Sequence, residues 1–75
     1  MTEEKAKSIA EEADLVLNGY AVTRDGENFR VINLKTGKAS YIMGSGELGE
    51  TNMDEVESAI AVRIVAENRK YITAA

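Results

Sequence analysis

Residues Tyr20–Met43 read YAVTRDGENFRVINLKTGKASYIM, and two turn signals divide this stretch into three short strands. Asp25-Gly26 is a two-residue hairpin signal, because glycine adopts the positive φ that such turns require. A tight turn there pairs Arg24 with Glu27, Val22 with Phe29 and Tyr20 with Val31. Leu34-Lys35-Thr36-Gly37-Lys38 reads as a three-residue loop with Gly37 left-handed. That second register pairs Val31 with Tyr41 and Phe29 with Met43. The two turns together predict one apolar face of Tyr20, Val22, Phe29, Val31, Tyr41 and Met43. The reverse face carries Ala21, Thr23, Arg30, Ile32, Ser40 and Ile42. It is mixed, and its two isoleucines are ordinary surface residues.

Helical patterns flank the strands. Thr2 is placed to cap a helix whose first turn holds Glu3 and Glu4. Ala6, Ile9, Ala10, Ala13, Val16 and Leu17 recur at helical spacing, and Asn18-Gly19 supplies a stop, so the first helix is expected over 3–17. Asn52 and Glu55 form a capping-box-like pair that starts a second helix, expected to run to about Tyr71. Met53, Val56, Ile60, Ile64 and Tyr71 fall on one stripe, which is expected to face the sheet. Ala61, Val65 and Ile72 form a second flank. That flank either packs on Ala6, Ala10 and Ala13 of the first helix or serves a weak homodimer, and these three are the candidate self-association residues.

The expected fold is therefore α+β in the order α-β-β-β-α. It is a three-stranded antiparallel meander with two helices packed on one face, forming a single domain over 1–75. Gly44-Ser45-Gly46 is a glycine-containing turn before the last helix, and that helix opens Asn52-Met53-Asp54-Glu55-Val56-Glu57. In topology and length the chain resembles the double-stranded-RNA-binding domain. The resemblance implies a phosphate-contacting start to the last helix. This chain has acids where that family's pattern has bases.

The chemistry available is narrow. Seventy-five residues with no Cys and no His lack a disulfide, a thiolate metal site, and the commonest general base and zinc ligand. Gly44-Ser45-Gly46-Glu47-Leu48-Gly49 matches G-x-G-x-x-G. The cap at Asn52 lies after it, and Glu47 and Glu50 repel phosphate, so it reads as a loop. Asp25-Gly26-Glu27-Asn28 lacks the alternating ligands of a calcium loop. Glu3/Glu4 and Glu11/Glu12 lie along a solvated helix, without the cleft an acid–base pair needs. No catalytic residue, cofactor or metal is expected, and the chain is not read as an enzyme.

Charge narrows the partners. The net charge is −4, which argues against direct binding to nucleic acid or anionic membrane. No apolar run is long enough to span a bilayer, the N-terminus does not read as a signal peptide, and the absence of Cys fits the cytoplasm. Lys and Arg are absent from Ala39 through Val62, a run that holds Glu47, Glu50, Asp54, Glu55 and Glu57. Helix capping accounts for Asp54, Glu55 and Glu57 but not for Glu47 and Glu50. Glu47, Glu50, Asp54 and Glu57 are thus the candidate partner-binding residues, suited to a basic protein. The expected function is a small acidic, non-catalytic binding module acting through protein–protein contact. The alternatives are a nucleic-acid mimic that inhibits a basic protein, and a diverged double-stranded-RNA-binding-type domain without its basic surface.

Overall fold

The structure is a computed structural model in which residues 1–72 are described. The last three residues of the expected domain lie outside them. The order is α1 (Glu3–Glu12), β1 (Leu15–Leu17), β2 (Tyr20–Asp25), β3 (Asn28–Asn33), β4 (Ala39–Ile42), β5 (Leu48–Thr51) and α2 (Glu55–Ile72). The five strands form one antiparallel sheet in sequential order. The α+β class holds, with two strands more than expected.

The first additional strand comes from Asn18-Gly19. Both residues have positive φ, 50° and 83°, the signature of a type I′ hairpin turn. The dipeptide therefore joins β1 to β2 and does not end a helix. Leu15 pairs with Val22 and Leu17 with Tyr20, so the alternating apolar residues before the turn are strand residues. The helix accordingly stops at Glu12, capped at its start by Thr2, whose Oγ1 accepts the Lys5 amide at 3.2 Å. Asp14 continues the β1 edge, because its carboxylate accepts the Arg24 amide at 2.7 Å.

The registers differ from expectation in two ways. In β2–β3 the closing pair is Asp25–Asn28, so Val22 opposes Val31 and Arg24 opposes Phe29. Positive φ is confined to Gly26, which makes Gly26-Glu27 the two central residues, as in a type II′ turn. This is a shift of two residues, and it leaves every side chain on its expected face. The β3–β4 pairing shifts by one. Asn33 pairs with Lys38 around a four-residue loop, with Asn33 N–H donating to the Lys38 carbonyl at 2.8 Å. Asn33 Oδ1 holds that loop by accepting the amides of Lys35 and Thr36. A one-residue slip reverses a strand. Ser40 and Ile42 therefore sit on the core face, opposite Val31 and Phe29, while Tyr41 pairs with Arg30 on the other side.

The second additional strand, β5, follows Gly44-Ser45-Gly46. Gly46 has φ 97°, and Met43 N–H donates to the Glu47 carbonyl at 2.8 Å. A Cβ on Gly44 would lie 2.6 Å from the Glu27 carbonyl oxygen, so this turn packs directly on the β2–β3 turn. The G-x-G-x-x-G run is thus a hairpin with a strand behind it.

The two helices lie on opposite faces of the sheet, not on one. Both faces have an apolar centre, so each takes a helix. Val22, Phe29, Val31 and Ile42 form the core with Met53 and with Ala61, Ile64, Val65 and Ile72 of α2. Alternation places Ala21, Thr23, Arg30 and Ile32 on the reverse, where Ile9 of α1 lies beside Thr23, Arg30 and Ile32. Ala21 and Ile32 are buried there, although α1 itself has no buried residue. The five strands and this arrangement depart from the α-β-β-β-α order on which the likeness to the double-stranded-RNA-binding domain rests.

Candidate protein-contact surface

The orientation of α2 decides what the protein presents to others. Asp54, not Asn52, is its N-cap. Asp54 Oδ1 accepts the Glu57 amide at 2.7 Å, and the Asp54 carbonyl accepts the Ser58 amide. Asn52 belongs to the sheet end: its Oδ1 accepts the Ala39 amide and its own amide donates to the Ala39 carbonyl. Starting two to three residues later than expected, the helix is anchored by a hydroxyl cluster beneath its first turns. Ser40 Oγ hydrogen-bonds Thr51 Oγ1, which lies 3.3 Å from Ser58 Oγ and accepts the Met53 amide at 3.0 Å. Burying Ser40 and Ser58 is tolerated because each hydroxyl is partnered.

On its flank, Glu57 Oε2 accepts from Asn33 Nδ2 at 3.1 Å. Burial pushes the Tyr20 pKa above its ordinary value, and the charges of Glu57 and Asp54 raise it further. At the far end of the helix, Arg69 donates to the Gly44 carbonyl, and its guanidinium sits 5.4 Å from the Phe29 ring centroid. These contacts fix both position and rotation.

With the helix held this way, its inward stripe is Ser58, Ala61, Ile64, Val65 and Ile72. Ala61, Val65 and Ile72, the expected self-association residues, lie inside the fold against the sheet. The first helix does not cover them either, because it is on the opposite face. Of the stripe expected to face the sheet, Met53 and Ile64 are buried, while Val56 is 73% exposed, Ile60 40% and Tyr71 62%. The reason is rotational: the stripe through Ala61 and Val65 carries the smaller side chains and the serine that reaches Thr51, and it lies closest to the strands.

The acidic residues do not gather on one patch. Glu47 is exposed at the β4–β5 turn, and Glu50 lies on β5 beside Arg30 and Tyr41 on the reverse face. Asp54 and Glu57 are engaged in capping and in the Asn33 contact on the core side. Among the described residues no group of three or more His, Cys, Asp or Glu is arranged to hold a metal ion. No described helix is long and apolar enough to cross a membrane.

What the molecule does present is a shallow apolar groove on the outer side of α2, lined by Glu55, Val56, Ala59, Ile60 and Arg63. A family model described as a family of unknown function, DUF7723, matches residues 3–72, from the first residue of α1 to the last of α2. The chain belongs to the DUF7723 family. No curated protein and no solved structure matches this DUF7723 chain.

Helical spacing groups Val56 with Ile60, but the pair faces solvent and not the sheet. The signal that separates the two stripes is the serine at position 58. A serine that follows Glu57 reads as surface, yet here its hydroxyl meets Thr51 Oγ1.

Proposed function

We propose that this DUF7723 chain is a small, non-catalytic binding module of the cytoplasm that acts through protein–protein contact, with the outer face of α2 as its contact surface. The observation that carries this reading is the exposed apolar run of Val56, Ala59 and Ile60 on a helix whose opposite side is fully packed. Exposed apolar side chains scattered singly need no explanation, but a contiguous run on a rigid element is what protein interfaces use. The rigidity comes from the Asp54 cap and the Arg69 contact described above, so the face requires little ordering when a partner arrives. A residue set without His or Cys fits a binding role better than catalysis.

Affinity capture from the native host with mass-spectrometric identification tests the reading. The wild-type chain is expected to retain a protein partner that the Val56→Arg chain loses. A Glu47→Lys/Glu50→Lys chain run beside them is expected to keep it. No partner above the tag control, or one held equally by Val56→Arg, sinks the proposal. Loss only with the two lysines transfers the contact to the acidic residues.

A further inference from the structure

We infer that the outer face of α2 is self-complementary, and that two copies of the chain pair through it with their α2 helices antiparallel about a two-fold axis beside Ala59 and Ile60. This rests on the reading of that face as a contact surface and names its occupant.

The argument is one of position and charge. Along α2 the groove residues run Glu55, Val56, Ala59, Ile60, Arg63, with an acid at one end, a base at the other and apolar residues between. A helix rises about 1.5 Å per residue, so Glu55 and Arg63 each lie about 6 Å from the level of Ala59, on opposite sides. A two-fold axis at that level sends the Glu55 end of one copy to the Arg63 end of the other. Each copy then places a carboxylate opposite the partner's guanidinium, twice per dimer, as an isologous contact requires. Ala59 at the axis permits close approach of the two backbones. Val56 and Ile60, exposed in one copy, cover each other across it.

Among the described residues the face is lined by α2 alone, and α1 lies behind the sheet. Arg63 is available to it: its contact with Glu67 at 3.6 Å is between side chains that are 79% and 62% exposed, and such pairs hold a side chain weakly. A basic partner fits the groove less well, since Arg63 would face it, and an acidic one would meet Glu55. A partner with both charges in reversed order matches both ends of the groove, and the chain itself is one. The contact involves few residues and both copies carry net negative charge, so the pairing is weak.

Sedimentation velocity from about 10 µM to about 1 mM reads the association directly. The wild type is expected to move from the mass of one chain toward that of two across this range. Ala59→Arg puts bulk and like charges at the axis and is expected to weaken pairing roughly tenfold or more. Glu55→Arg and Arg63→Glu each set like charges opposite one another and are expected to abolish pairing alone. An equimolar mixture of these two variants regains it, because both ion pairs re-form between unlike copies. All three positions are exposed on a helix, and circular dichroism confirms folding. Should Glu55→Arg fail to fold at the helix start, Ala59→Arg alone decides the matter. A wild type monomeric throughout overturns the inference, as does Ala59→Arg pairing like wild type or a mixture no stronger than its components. These results leave the binding-module reading to its own test, capture of a host partner that Val56→Arg loses.

Discussion

Three side chains carry consequences out of proportion to their number. Phe29 is 2% exposed and touches both the sheet core and Arg69 of α2. Phe29→Ala is expected to cost about 3–5 kcal/mol, comparable to the whole stability of ~3–5 kcal/mol typical of so short a chain. Circular dichroism at room temperature should show the variant largely unfolded, and a melt near wild type would contradict its place in the core. The role of Phe29 is legible in the sequence because a two-residue shift of register preserves faces. Ser40 is not legible. A serine between Ala39 and Tyr41 gives no sign that it is buried, and the Thr51 hydroxyl it bonds makes its burial tolerable. Tyr20 provides a pH signature. Its phenol has a raised pKa, so between the ordinary value of 10.0 and the raised one the unfolded chain loses its proton first. The folded state then holds more protons than the unfolded, and stability falls as pH climbs through that window. Glu57→Gln removes a neighbouring charge and is expected to lower the Tyr20 midpoint, followed by NMR of the ring carbons. An unchanged midpoint would discount the Glu57 contact.

For the elements, turns and caps decide what the apolar pattern leaves open. Asn18-Gly19 has a left-handed glycine under either of two readings, a helix stop or a hairpin. Leu15 and Leu17 settle it, since both alternate with Val16 and pack on the core cluster. The reversal of β4 follows from one extra loop residue held by Asn33, a side chain that also reaches Glu57 on α2. A polar residue with three contacts leaves no trace in a hydrophobicity pattern. β5 was equally silent: Leu48-Gly49-Glu50-Thr51 has one large apolar residue, and its pairing with β4 carries an irregularity between Ser40 and Ile42. Such a break shortens the exposed edge and deters pairing with another chain. At the start of α2, Asp54→Ala removes the cap and is expected to cost about 1 kcal/mol. Asn52→Ala is expected to loosen the end of β4 while leaving helix content unchanged. Urea titrations followed at the helix band separate the two, and an equal loss of helix from both would return the cap to Asn52.

For the whole molecule, the sheet carries unequal cover on its two sides. The α2 side holds most of the buried apolar residues, whereas α1 contributes none that is buried. Native-state hydrogen exchange should therefore show low protection along α1 and the highest along β2 and β3. Protection of α1 equal to that of β3 would mean that the helix opens only with global unfolding. This asymmetry is hidden in the sequence, where α1 shows the cleaner amphipathic spacing. Its apolar residues are mostly alanines, which give period without much area to bury. The sequential strand order has a further consequence, for synthesis on the ribosome. Each strand of the meander emerges next to a partner already made, so the sheet is able to assemble as the chain grows. The helix that closes the core is made after all five strands. A nascent chain ending at Thr51 would display Val22, Phe29, Val31 and Ile42 to its surroundings, a surface for chaperones to hold. Folding is then completed in one late step, when α2 clears the exit tunnel and covers it.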